Sequence, residues 1–428
     1  MRKLSTLWLS ALVLTAPLSF SFGQDAAKLK ASEDKPLEDS TITRKAAIEE
    51  GVQLLLSYQE RYQSDRPVGS LPDDELKDWQ EKEVKRLMKV RKASKRPAQE
   101  WPYEGVYRVR PNRAIPSGYR VGGTAIVCEA LIKAPGYKQD KTRQAAVERG
   151  LNFVLGRIKS DKTLSPGPKE GYDVRGWAHA YGMNLMLLMR KEGLVPKKQS
   201  KKVDESIKHL IHCLQVNALG DGGWNYASDR ANACSPFMTG PTLLFLFEAK
   251  AQGFEIPTDL IEKALTALEK GRSTKTGAYG YAGPRREKMA ASSGRAAIAE
   301  LALLRAGRSD TDRLRTAVLG FFDNWEHLFD RKSKQGTHEG PYSIAPYYFF
   351  YAHNYAALAI ESLPEKERPD FRVQLEQLLW RTRQANGAWN DRIFPRTESY
   401  CTAMSLLALM APDLPQPTGW TSEKPTSK

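Results

Sequence analysis

One short unit recurs along this chain, and the recurrence limits the fold more than any other feature. Near the C-terminus stands Gln384-Ala-Asn-Gly387-Ala-Trp389. Glycine, any residue, then an aromatic also occurs at Gly105-Val-Tyr107, Gly222-Gly-Trp224, Gly277-Ala-Tyr279 and Gly340-Pro-Tyr342. The last four aromatics are spaced 55, 63 and 47 residues apart, and the first gap of 117 leaves room for one more unit, around Gly171-Tyr172. Glycine permits the positive φ of a tight turn, while a large aromatic two residues on needs burial. The turn therefore carries an anchor.

Helical periodicity dominates after Thr43, and each turn lies between two helical segments. The segment before a turn is amphipathic, as in Asp259-Leu-Ile-Glu-Lys-Ala-Leu-Thr-Ala-Leu268. The segment after it is apolar almost all round, as in Ala403-Met-Ser-Leu-Leu-Ala-Leu-Met410. A helix without a polar face must be covered on most sides, whereas a one-striped helix can face water. The second helix of each pair thus belongs inside and the first outside. Six pairs, over about 44–135, 143–193, 203–253, 259–307, 312–362 and 370–411, predict an all-α (α/α)6 toroid of two concentric layers, closed so that no end needs a cap. Residues 61–99 read as an insertion in the first unit. Residues 24–43 and the Pro/Ser/Thr/Lys-rich 412–428 read as disordered.

Met1-Arg-Lys3, an apolar run from Leu4 to Phe22, and small residues before Gln24 have the pattern of a signal peptide at 1–23, which predicts export to a periplasmic or extracellular space and no membrane span after cleavage. The formal charge is +15, or +13 without Arg2 and Lys3. The densest basic run, Lys82–Arg96, reads as a solvated helix face or as attraction to an anionic envelope polymer; no nucleic-acid motif accompanies it. Cys128, Cys213, Cys234 and Cys401 lack CxxC spacing, which argues against structural zinc and leaves buried thiols and one disulfide both open.

The Gln-Ala-Asn-Gly-Ala-Trp389 unit resembles the glutamine–tryptophan repeat of squalene and hopene cyclases. The helix pairs resemble the toroid of terpenoid cyclases and protein prenyltransferase β-subunits. That resemblance implies an (α/α)6 barrel over nearly all of 44–411 with a cavity at one end. It does not extend to chemistry. Leu219 stands where the third unit should have glutamine, and DxDD, DDxxD and GCGEQ are absent. His353 matches the setting of the prenyltransferase histidine, but no Asp-x-Cys partner precedes it.

The starts of the inner helices supply the site candidates. Four units align as aromatic, any residue, His or Thr: Trp177-Ala-His179, Phe237-Met-Thr239, Tyr351-Ala-His353 and Tyr400-Cys-Thr402. His179 and His353, three units apart, would face one another across the pore as an acid–base or ligand-gripping pair, or else bond inside the wall, as a repeated packing position favours. Asp173 and Glu398 are the candidate general acid or base. Arg175, Trp177, Tyr181, Asp229, Tyr342, Tyr347, Tyr351, Arg396 and Tyr400 are candidate contacts for a polar, ring-shaped ligand such as a glycan. Their charges could equally cap helices and pair with one another. No metal or cofactor is expected. The leading expectation is a secreted cyclase- or prenyltransferase-like toroid that binds a ligand or partner without terpene chemistry. The alternatives are a polysaccharide lyase or glycoside hydrolase using pore-end carboxylates, and a divergent isoprenoid cyclase.

Overall fold

Every residue from Thr397 to Met410 is buried, and so is every residue from Gly118 to Ile132. These two helices belong to an inner layer that the rest of the chain wraps. The computed structural model describes residues 42–63, 76–93, 97–105, 114–167, 174–226, 233–282, 288–334 and 336–421. In chain order its helices are α1 (Arg44–Tyr58), α2 (Leu76–Ala93), α3 (Ser117–Lys133), α4 (Lys141–Ser160), α5 (Arg175–Lys191), α6 (Ser200–Val216), α7 (Pro236–Ala251) and α8 (Thr258–Lys270). They continue with α9 (Met289–Ser292), α10 (Ala296–Arg305), α11 (Thr311–Asp323), α12 (Trp325–Phe329), α13 (Phe349–Ile360), α14 (Arg368–Arg381) and α15 (Thr397–Met410). Among the described residues β-structure is limited to three isolated bridges.

The inner ring runs α3, α5, α7, α10, α13, α15 and back to α3, each packed on the next. The outer layer is α1, α4, α6, α8, α11 and α14, the amphipathic members. The expected all-α toroid is thus observed. Closure is made by α1, which packs on α15, the last inner helix. A Cβ on Gly51 would lie 2.7 Å from Leu406 Cδ2, so the leucine side chain packs directly over the glycine. Glu50 accepts from Arg383 at 2.6 Å, and Arg44 pairs with Asp413. The chain's first and last units are thereby joined directly.

The turn aromatics are anchored by one repeated device. The indole N–H of Trp101, Trp224 and Trp389 donates to a carbonyl in the last turn of the preceding outer helix, at Leu55, Leu214 and Leu379. The backbone N–H of the turn aromatic donates to a hydroxyl on the helix that follows, an inner helix in each case but that of Ser292, which lies on the short α9. The pairs are Trp101 with Thr124, Trp224 with Thr239, Tyr279 with Ser292 and Trp389 with Thr402, at 2.7–3.2 Å. Each turn is thus riveted to both layers, and its polar backbone is satisfied in the dry interior. At Gly222 the backbone takes φ 102°, and a Cβ there would sit 2.2 Å from the Lys263 carbonyl oxygen. Two assignments from the pattern need correcting. The first unit is anchored by Trp101, while Tyr107 lies outside the described residues. The fifth is anchored by fully buried Trp325, and Tyr342 is only half-buried against His327.

The segment after Pro412, whose composition predicts disorder, is held as far as Thr421. Gln416 donates to the Glu361 carbonyl, the Trp420 N–H donates to the Arg305 carbonyl, and the Trp420 ring packs on Phe247. Few residues suffice, because a strap without its own core needs only partners on the ring. All four cysteines are free and buried. Residues 1–41 and 422–428 lie outside the described residues.

Replacing Trp389 with alanine removes a fully buried indole and its bond to Leu379, and is expected to cost about 3–5 kcal/mol. Urea unfolding of the purified variant checks this. A loss below about 1 kcal/mol would show that the turn aromatics do not hold the layers together.

Candidate functional site

The inner helices run in the same direction, so the ring has an N-terminal and a C-terminal end. The described sequence candidates lie at or near the N-terminal end, except Tyr181, which lies deeper and lines a cavity toward the other end. Asp173 and Asp229 are outside the described residues, as are Arg230, Arg285 and Arg286.

The two histidines do not meet. His179 and His353 are both fully buried. His179 Nε2 donates to the Leu164 carbonyl at 2.8 Å. His353 Nε2 accepts from the Trp325 indole at 2.9 Å, so its proton sits on Nδ1, which donates to the Phe349 carbonyl at 2.8 Å. Burial pushes the His353 pKa down to about 4, and the Phe349 bond only partly opposes this. The aligned position is therefore the rivet position: Thr239 and Thr402 hold a turn there by hydroxyl, and His179 and His353 by imidazole. The residues that do meet across the ring are two positions further on. Tyr181 and Tyr355 share a hydrogen bond at 3.0 Å between their hydroxyls.

The axis at the N-terminal end is filled by aromatic rings rather than open. Trp177 stacks on Tyr103 with centroids 5.4 Å apart, and Tyr400 lies 4.7 Å from Tyr103. Phe237 lies 4.1 Å from Tyr351, whose hydroxyl donates to the Phe237 carbonyl. Tyr347 packs on Phe237 and bonds His338. Trp177, Tyr351 and Tyr400 are thus packed against protein rings instead of presented to a ligand. Arg175 is buried, with its guanidinium on the Ser165 and Gly167 carbonyls.

Beside this plug lies a chain of buried charges. Arg396 makes a two-pronged bond to Glu60, at 2.9 and 3.1 Å, and stands 4.0 Å from the Glu104 carboxylate. Arg91 reaches down from α2 to within 3.8 Å of Glu60 and covers the Tyr58 ring. Tyr58 donates to Glu398 at 2.8 Å. The Tyr62 ring lies between the Arg396 and Arg120 guanidiniums, at 5.0 and 4.9 Å, and Arg120 is paired in turn with buried Glu100. The order of contacts is therefore Glu104, Arg396, Glu60, Arg91, Tyr58, Glu398. The basic run of α2 is divided: Lys82, Lys85 and Lys89 face solvent, whereas Glu83, Leu87 and Arg91 turn toward the ring.

The environments of these carboxylates differ. Burial pushes the Glu104 pKa up to about 7 against the pull of Arg396, and Glu60 adds to the rise. Burial also raises Glu398, with Tyr58 and Arg91 pulling the other way. Asp391, in the same sixth-unit loop, is fully buried without a close hydrogen-bond partner. Burial raises it to about 6, mainly against Arg392. A carboxyl that keeps its proton near neutrality beside a second carboxylate gripped by two arginines is the arrangement that acid–base chemistry needs. Of this chain, the sequence pattern singled out Arg396 and Glu398. It missed Glu60, Glu104, Arg91 and Tyr58, which flank or belong to the insertion. The available signal was acidic Glu100 and Glu104 bracketing Trp101, the residue that proves to be a turn anchor.

No protein-family model matches this chain, and no curated protein matches it in sequence. Solved structures do. An inactive variant of the α-1,6-mannanase GH76A from a Salegentibacter species, in complex with α-1,6-mannotetrose, aligns with TM-score 0.51 and 12% identity, covering 86% of this chain and 100% of that one. The Lin0763 protein of Listeria innocua aligns with TM-score 0.51 and 13% identity, covering 87% and 99%. At such identities the likeness is one of fold. It nevertheless corrects the resemblance drawn from the repeats. A glycoside hydrolase aligns over 86% of this chain, so the hairpin pattern that suggested squalene cyclases and prenyltransferases marks the fold and not those families. The reading as a cyclase-like binding protein falls with it.

His353 supplies a pH test. Its folded-state pKa lies below the unfolded value of about 6.5, so its contribution is intact above that pH and is lost as pH falls through about 4, a change of about 3 kcal/mol. Urea unfolding between pH 7 and 4 should show a steeper loss for wild type than for His353→Gln. Parallel curves would mean that the imidazole is not held neutral.

Proposed function

We propose that this protein is an exported glycan-cleaving enzyme, a glycoside hydrolase or polysaccharide lyase on an (α/α)6 toroid. Its working carboxylates are proposed to be at the N-terminal end of the inner helices. The observation that carries the reading is Glu104: a buried carboxyl with a pKa of about 7, next to an Arg396 whose guanidinium is already paired with Glu60. Glu104 takes the role of general acid, giving its proton to a departing glycosidic oxygen. Glu398, which accepts from Tyr58, is the partner carboxylate, and Arg91, Arg396 and Glu60 position the pair. Tyr62, half-buried between the Arg396 and Arg120 guanidiniums, is the ring beside them that a sugar could reach. Asp173 and Asp229, outside the described residues, stay candidates for substrate contacts. Likeness of fold to a mannanase favours a neutral glycan as the first substrate to try. Export belongs to the same proposal. Met1–Gly23 has the signal pattern, and among the described residues no helix is long and apolar enough to cross a membrane.

The test uses the full-length protein on α-1,6-mannan and on a panel of neutral and uronate glycans. Reducing ends are assayed together with absorbance of unsaturated products, which separates hydrolysis from elimination. Glu104→Gln is expected to lower kcat by about 100-fold or more. Wild-type activity should decline as pH rises through about 7, where Glu104 loses its proton. The stability effect runs in the same window: Glu104's contribution is full below about pH 4.5 and is lost as pH rises through about 7. The variant should therefore be at least as stable as wild type at pH 8. Absence of cleavage of every glycan by wild type, or undiminished cleavage by Glu104→Gln, overturns the proposal.

A further inference from the structure

The opposite end of the ring holds a cavity of about 440 Å³, within the range of small-molecule sites. Its wall is made by the C-terminal halves of α3, α5, α7, α13 and α15, closed on one side by the strap Leu414–Thr418. The strap is fixed by the Gln416 and Trp420 bonds described above, and Thr418 bonds Glu248, so the wall is built rather than draped.

The lining is arranged in tiers along the inner helices. At the rim, the charges satisfy one another. Glu129 accepts from Lys133 at 2.6 Å and from Asn184 at 2.8 Å. Glu248 accepts from Lys191 at 3.2 Å and from Gln252 at 2.9 Å. Below them comes an apolar collar of Leu188, Leu244, Phe245, Leu358 and Leu407. Deepest are the paired Tyr181 and Tyr355 hydroxyls and the carboxamide of Asn354.

Asn354 is the informative residue. It is 6% exposed, it lines the cavity, and its side chain makes no hydrogen bond to any described residue. A carboxamide offers two donors and an acceptor with two lone pairs, and one this buried is normally satisfied. An alanine or leucine would fill an apolar helix face without that cost, so the unused group points to a partner that enters the cavity. That partner is uncharged. The rim carboxylates and ammoniums are already neutralised in pairs, the floor offers only neutral groups, and the helix C-termini converging here disfavour anions.

We infer that this cavity binds a small neutral amphiphile, with hydroxyl or amide groups on Asn354 and an apolar body within the leucine–phenylalanine collar. The site is distinct from the carboxylate end and stands whether or not that end cleaves glycans.

Calorimetric titration of the full-length protein with hexyl β-glucoside, below its micellar concentration, tests this. Glucose, hexanoate and hexylammonium serve as the head-only, anionic and cationic arms. Saturable binding of hexyl glucoside is expected, at least tenfold tighter than any of the other three. Asn354→Leu should weaken it about tenfold, as loss of one neutral hydrogen bond does. Leu358→Trp, which fills the collar, should abolish it. Glu104→Gln should bind as wild type does. Unchanged melting curves establish that the variants fold, and should Asn354→Leu fail to fold, Leu358→Trp decides. No saturable binding, binding that survives Leu358→Trp, binding undiminished in a folded Asn354→Leu, or an equal preference for a charged arm overturns the inference.

Discussion

Helices without a polar face cannot end a structure. Each of the six inner helices needs neighbours on both flanks and an outer helix behind it, and a closed ring is the arrangement that supplies these to all six at once. The cost of closure falls where the chain's two ends meet, and there α1 and α15 pack with the Leu406 side chain over Gly51. The ring is held in register by polar contacts at each turn, from an indole or backbone N–H to a carbonyl or hydroxyl. In a dry interior such contacts must be made, so the turns cannot slip.

This construction divides the molecule's polar chemistry between its two ends. At the N-terminal end the axis is packed with rings from most of the repeats, and the buried charges are pushed to one side. They are Glu60, Glu104 and Glu398, held by Arg91 and Arg396. Burial raises the two outer carboxyls, and the arginines grip the central one. At the C-terminal end the rings stop at the Tyr181–Tyr355 pair, and space opens toward the strap. The histidines serve neither end. They stand where other repeats use threonine, and each holds the outer layer to the inner.

Much of the fold was legible because it rests on periodicity. The contrast between one-striped and wholly apolar helices predicts two layers, and six pairs predict closure. The site was legible only in part. Arg396 and Glu398 fall at a repeated position, the start of an inner helix, whereas Glu60 and Glu104 belong to stretches that interrupt the repeat. The alignment of His179 with His353 was real, but it reported packing, since a position repeated for structural reasons recurs whatever the centre does. The glutamine–tryptophan unit misled in the same way: it marks how a toroid turns a corner, and many chemistries share that corner.

Periodicity and turn chemistry, both local properties, settle the helices, their pairing and their assignment to inner or outer layers. What they leave open are distances between units far apart in the chain. Tyr58 meets Glu398 across 340 residues, and Glu60 meets Arg396 across 336. Only closure of the ring brings those groups together. Burial raises Glu104 and lowers His353 because other units cover them, and no pattern within either residue's own unit carries that information.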